Sequence, residues 1–209
     1  SMVPGKSLTE KANNLKKWGF DGITIFMEYS EWNDKLFEEI KFLKKNTGIT
    51  PVEFMFSDPL YGHLMDPDPV IREKSREMYK KAVRVCAEVG AVTDIEYEYK
   101  PQDPLPMLYP YAKMKPDEEK EFLDMYKELV EAAKGSNAYV LLEPINRYEA
   151  PYLNSMSDCC EIVQKLNLSN SGLIADVFHL AIEEKSIPDA IRQGGSLIKH
   201  VHFGDNNRL

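Results

Sequence analysis

Tyr139-Val-Leu-Leu-Glu-Pro-Ile-Asn-Arg-Tyr-Glu149 sets a short apolar run, Tyr139 to Leu142, directly against a loop whose first residue is an acid. Four apolar residues are too few for a helix and read as a buried strand. The arrangement recurs downstream. Leu173-Ile-Ala175 runs into Asp176-Val-Phe-His179, and the run from Leu197 to Phe203 carries His200-Val-His202. Working back towards the start, Ile23 to Tyr29, Val52 to Phe56 and Val92 to Tyr99 are rich in β-branched and aromatic residues and read as strands. Helical stripes lie between them. Leu8, Ala12 and Leu15 follow the capping-box pattern Ser7-Leu-Thr-Glu10. Trp32, Leu36, Ile40 and Leu43 form the next stripe, then Met78, Ala82, Val85 and Val89, then Leu123, Tyr126, Leu129 and Ala133. Cys159, Ile162 and Leu166 and a short helix from Ile187 to Ile191 complete the set.

Strands that alternate with helices predict βαβ units and a parallel sheet, either a doubly wound open sheet or a closed barrel. No G-x-G-x-x-G follows any strand, which weakens the dinucleotide-binding form of the open sheet. Glu28, Asp58, Glu143, Asp176 and the His200/His202 pair fall at or just past strand C-terminal ends, the face on which a barrel gathers its chemistry. The expected fold is therefore an α/β (β/α) TIM barrel. Eight units need roughly 250 residues, or about 31 each. The 209 residues here supply six strands, so the first and eighth are expected to be missing and the barrel incomplete. A single domain over residues 3–209 is expected, with Ser1-Met2 as an expression scar. Open parallel edges would be covered by a loop or a neighbouring molecule, so a homo-oligomer is among the expected assemblies. The stretch from Lys100 to Pro116, with Pro101, Pro104, Pro106 and Pro110, reads as a long loop above the site, a lid.

Composition narrows the partners. The net charge of −8 argues against nucleic acid, because a phosphate backbone recruits basic patches. No apolar run reaches the roughly 18–20 residues that span a bilayer. Three cysteines, two of them adjacent, make a poor disulfide framework and point to the cytoplasm.

The chemistry concentrates in four clusters. An aspartate directly after Leu-Ile-Ala is expensive to bury without a cation or hydrogen bonds, although Asp176 also suits the cap of a following helix. Strand alternation puts the rings of His200 and His202 on one face. The loop from Glu143 to Glu149 reads as a site or as a solvated turn with charge pairs, and Asn207-Arg208 as a fixed cation beside the site or a solvated charge. Carboxylate, carboxylate and imidazole from three successive strands suit a divalent ion, Mn²⁺, Mg²⁺, Co²⁺ or Zn²⁺, with oxygen-rich ligation favouring the harder ions.

Leu142-Glu-Pro-Ile-Asn-Arg-Tyr-Glu149, Asp176-Val-Phe-His-Leu-Ala-Ile-Glu-Glu184 and His200-Val-His-Phe-Gly-Asp-Asn-Asn-Arg208 resemble the xylose-isomerase-like sugar isomerase/epimerase superfamily, most of all its ketose 3-epimerases. The resemblance runs along essentially the whole chain. It implies a metal-dependent isomerase or epimerase that acts on a ketose or related sugar through an enediolate, with Mn²⁺ the first choice of ion. It implies Glu143 as metal ligand and catalytic acid/base, Asp176 and His202 as further ligands, and Glu149, His179 and Arg208 as substrate-binding residues. It assigns a fourth ligand, a second catalytic glutamate, to an eighth strand that would follow Leu209. Asp205 stands where relatives often carry Glu. Two other readings stay open, a non-catalytic sugar- or metal-binding barrel and a phosphodiesterase like the AP endonucleases, which would need more histidines than the four present.

Overall fold

Helix and strand alternate along the chain because each apolar stripe is followed by a residue that stops it. The computed structural model describes residues 3–97 and 113–204. Helix α1 (Leu8–Lys17) leads into strand β1 (Gly22–Glu28). The order continues α2 (Asp34–Thr47), β2 (Thr50–Ser57), α3 (Pro69–Val89), β3 (Val92–Ile95), α4 (Pro116–Ala132) and β4 (Tyr139–Leu142). It ends α5 (Met156–Leu166), β5 (Ser171–Asp176), α6 (Val177–Glu183), α7 (Ile187–Gly194) and β6 (Ile198–His202). Side-chain caps start most of the helices: Asn33 accepts from the Leu36 N–H, Asp68 from Val70 and Ser155 from Asp158. Gly48 and Gly90 end α2 and α3 at φ 81° and 74°, where a side chain would be strained. The expected capping box at α1 forms in part. Ser7 accepts from the Glu10 N–H, but the Glu10 carboxylate reaches Lys6 N rather than the Ser7 N–H.

All five strand pairings are parallel, and the sheet order β1-β2-β3-β4-β5-β6 follows the chain. Successive neighbours reached by crossovers of one hand curl a sheet towards a barrel, whereas a doubly wound sheet reverses its order part-way. Six strands of barrel wall with helices outside are thus present, and β1 and β6 are its edges among the described residues. Two boundaries differ from expectation. Tyr29 leaves the strand and opens a 3₁₀ turn, Tyr29–Glu31. Strand β3 stops at Ile95, paired with Leu142; one residue past Glu143 comes Pro144, which has no N–H to extend the ladder. Helix α6, seven residues long, was too short to resolve from periodicity. The stretch from Lys100 to Pro116, except its last four residues, lies outside the described residues, so the expected lid is not assessed. No described helix is long and apolar enough to cross a membrane.

Strand alternation builds the interior in layers. Val92, Leu141 and Ile174 form a small apolar cluster. Two residues further along the same three strands stand Asp94, Glu143 and Asp176. On β2, Glu53 is turned to the interior, while its neighbour Phe54 packs edge-on against Trp32 and Phe56 at 5.7 and 5.0 Å. Phe54 is fully buried. Replacing it with Ala leaves a cavity that the two neighbouring rings cannot fill, and we expect a loss of about 3–5 kcal/mol in chemical denaturation, with the parallel sheet retained.

Candidate metal centre

The polar layer lines the mouth of a cavity of about 980 Å³ at the C-terminal ends of the strands. Glu143 follows β4 directly and is buried. Its Oε1 lies 3.1 Å from His202 Nδ1. Asp176 ends β5 and sits opposite His202 in the β5–β6 register. Its two oxygens divide the roles that the sequence left open. Oδ1 accepts from the Phe178 N–H at 2.7 Å and caps α6. Oδ2 lies 3.9 Å from His202 Nδ1 and 3.8 Å from His179 Nε2. Ligand atoms of Glu143, Asp176 and His202 all lie within 4.8 Å of one another, two hard oxygens and one imidazole nitrogen, a set that fits a divalent ion.

His202 is held from both sides. Nε2 meets the Glu53 carboxylate at 3.0 and 3.2 Å while Nδ1 faces Glu143. Burial alone would lower its pKa, but hydrogen bonds to Glu143 and Glu53 outweigh that and raise it to about 11. Glu143 responds in the opposite sense. Burial pushes its carboxyl up, and the His202 imidazolium holds it below the ordinary range. Asp176 is raised by burial and by the Glu143 charge. His200 lies 3.7 Å from Glu53, its ring 5.2 Å from that of His202, and burial lowers its pKa. Both histidines do share one face, as strand alternation requires.

His179 is positioned through Asn146. The Asn146 backbone N–H donates to His179 Nδ1 at 3.2 Å, so Nδ1 is the unprotonated nitrogen and Nε2 carries the proton towards Asp176. The Asn146 Nδ2 lies 2.8 Å from that same nitrogen and donates to Glu149 Oε1 at 2.8 Å. Glu149 is thus tied to the site through Asn146 but is not among the residues that line the cavity. The loop itself is clamped by Glu183, which accepts from the Arg147 backbone N–H at 2.7 Å and from its guanidinium at 2.8–3.1 Å. Arg208 lies outside the described residues. His63, the fourth histidine, pairs with Asp66 at 2.8 Å and belongs to none of the donor groups found among the described residues.

A sequence profile of the xylose isomerase-like TIM barrel family matches residues 12–209. The chain belongs to that family. Among curated relatives, the probable ketose 3-epimerase of Synechocystis is 26% identical over 192 residues, covering 90% of this chain and 63% of that protein. The D-psicose 3-epimerase of Ruminiclostridium cellulolyticum is 27% identical over 197 residues, covering 93% and 65%. The chain therefore spans slightly less than two-thirds of the length of these relatives. The crystal structure of 3-keto-D-glucoside 4-epimerase from E. coli superposes with a TM-score of 0.82 at 25% identity, over 100% of this chain and 78% of that one.

Within this family frame, Glu53, Asp94, Glu96 and Asn146 are the residues that sequence reading left without a role. Glu53 and Asp94 did carry a signal, an acid inside an otherwise apolar strand run, Val52-Glu-Phe and Thr93-Asp-Ile. Asn146 carried none, because its role depends on which nitrogen of His179 it meets. In ion-free protein, His202 contributes stability that is complete below its unfolded value near 6.5. That contribution is lost as pH rises through about 11. Unfolding free energy should fall between pH 8 and 10.5, and the fall should be shallower in His202→Gln.

Proposed function

We propose that this chain forms the metal-binding part of a divalent-metal-dependent sugar epimerase that acts on a ketose through an enediolate, with Mn²⁺ as the preferred ion. The observation that carries the reading is the convergence of Glu143, Asp176 and His202 from three successive strands on one cavity. The epimerase names of the relatives support it.

Glu143, Asp176 and His202 would hold the ion. When bound, a divalent ion supplies Lewis-acid stabilisation of negative charge on adjacent substrate oxygens. Glu143 removes the proton from the carbon next to the ketone, and charge spreads over two neighbouring oxygens as an enediolate. His179 donates its Nε2–H to a sugar oxygen. Glu149 and Arg208 take the hydroxyl and carbonyl oxygens, the roles that the resemblance implies. Phe26, Phe56 and Phe178 line the cavity and limit water around the developing charge. Return of the proton on the opposite face requires a second acid, which the resemblance assigns to an eighth strand. The three buried free thiols fit a reducing cytoplasm.

The test is epimer formation by the full-length protein on a panel of ketohexoses, ketopentoses and 3-keto-glycosides with Mn²⁺, Co²⁺ or Mg²⁺. Turnover with Mn²⁺ is expected, and Glu143→Gln should lower kcat by about 10²–10⁴-fold or more, the usual contribution of a positioned acid/base. Full turnover by Glu143→Gln, or none by the metal-loaded full-length protein, would remove this reading.

A further inference from the structure

Glu53 has no part in the chemistry proposed above, yet none of its surface is exposed. A carboxylate taken wholly out of water requires a strong partner. That partner is His202, whose Nε2 lies 3.0 and 3.2 Å from the two oxygens of Glu53. His200 Nε2 stands 3.7 Å from the same carboxylate. The contact does not join neighbours in the sheet. Glu53 is on β2 and His202 on β6, with β3, β4 and β5 between them in the strand order, so the bond spans the interior.

Neither Glu53 nor His200 lines the cavity, whereas His202, Glu143 and Asp176 do. The His202 ring is the divide. Nδ1 lies 3.1 Å from Glu143 and 3.9 Å from Asp176, and Nε2 meets the enclosed carboxylate behind. His179 is arranged in reverse: Nδ1 accepts from the buried Asn146 and Nε2 lies towards Asp176. The two imidazoles thus present opposite nitrogens to Asp176, and in each case a buried group behind the ring makes the choice.

An imidazole that binds a metal is neutral, with one nitrogen bare and the other protonated, and the hydrogen bond at the far nitrogen sets which is which. We propose that Glu53 is a positioning residue for the metal centre: by accepting the Nε2–H of His202 it leaves Nδ1 as the nitrogen for an ion held by Glu143 and Asp176. A carboxylate behind the ring also makes Nδ1 the more basic ligand. Glu53 acts through His202 and touches neither ion nor sugar. The inference rests on the metal centre proposed above and not on the reaction. Glu53, His200 and His202 also bring ligand atoms within 4.8 Å of one another. Two of those three residues stand away from the cavity, so positioning is favoured over ligation.

The experiment is a calorimetric titration with Mn²⁺ of the full-length wild type, Glu53→Gln, Glu53→Ala and Asp176→Asn. It is paired with long-range proton–nitrogen NMR of the Zn²⁺-loaded proteins carrying isotope-labelled histidine. Glu53→Ala should weaken Mn²⁺ binding about 10–100-fold, the usual cost of losing the group behind a metal-bound histidine. Glu53→Gln keeps an acceptor without the charge, and its affinity should fall between the two. His202 should show a bound Nδ1 and a protonated Nε2 in the wild type and Glu53→Gln, and lose that single pattern in Glu53→Ala. Should Glu53→Ala fail to fold, Glu53→Gln carries the test: a weaker ion with the His202 pattern kept supports the proposal, and an unchanged affinity overturns it. Variants that melt earlier but bind Mn²⁺ as the wild type does, with the same His202 pattern, would reduce the contact to a tie across the barrel and overturn positioning while leaving the centre in place. Binding lost in Glu53→Gln but untouched by Asp176→Asn would make Glu53 a ligand, which overturns the proposal. No ion bound by the wild type would overturn the metal centre itself.

Discussion

An ionised carboxylate inside a protein needs a donor, a cation or a proton, and the interior of this barrel wall holds five acids in close array. Glu53, Asp94, Glu96, Glu143 and Asp176 come from β2 to β5 or from the residue that follows a strand. Each resolves the demand differently. Glu53 is met by His202 at 3.0 Å, Glu143 by the other nitrogen of the same ring at 3.1 Å, and Asp176 by the Phe178 N–H in the first turn of α6. Asp94 shares a hydrogen bond with the Glu143 carboxyl. Burial and its acidic neighbours accordingly push its carboxyl well above the ordinary range, and Glu96 up to about 8.

His202 is the hub of this arrangement. A histidine that binds an ion through one nitrogen usually donates the other N–H to a carboxylate or carbonyl, which sets the tautomer and the ring plane. Glu53 occupies that place. With Nε2 committed to Glu53, Nδ1 is the nitrogen that would take the proposed ion, on the side where Glu143 and Asp176 stand. A metal ion at Nδ1 would compete with the proton there, so the contacts that raise the histidine's pKa in ion-free protein would tie binding of the proposed ion to pH.

The outer parts of the site are fixed through the loop after β4. Asn146 joins Glu149 to His179, and Glu183 joins Arg147 to α6, so the loop is tied to the next βα unit at two points. Asn154, buried beneath, donates to the carbonyls of Ile145 and Ala150 and closes the loop on itself. A site carried on a loop acquires in this way the rigidity of the scaffold around it.

By itself the sequence determined the alternation of elements, the identity of the parallel barrel and the placing of Glu143, Asp176 and His202 at strand ends. These follow from local rules: apolar periodicity separates strand from helix, and a polar residue just after a buried strand emerges on the barrel's C-terminal face. The family motifs followed from the same stretches. Tertiary structure alone decided what lies across the barrel. Glu53 meets His202 although 149 residues separate them, and Asp94 and Glu96 join Glu143 from a neighbouring strand. No periodicity records which side chains a curled sheet turns towards one another, because that depends on strand register and sheet curvature. For the same reason the tautomer of His179 and the division of Asp176's two roles between its oxygens became legible only once their partners were in place.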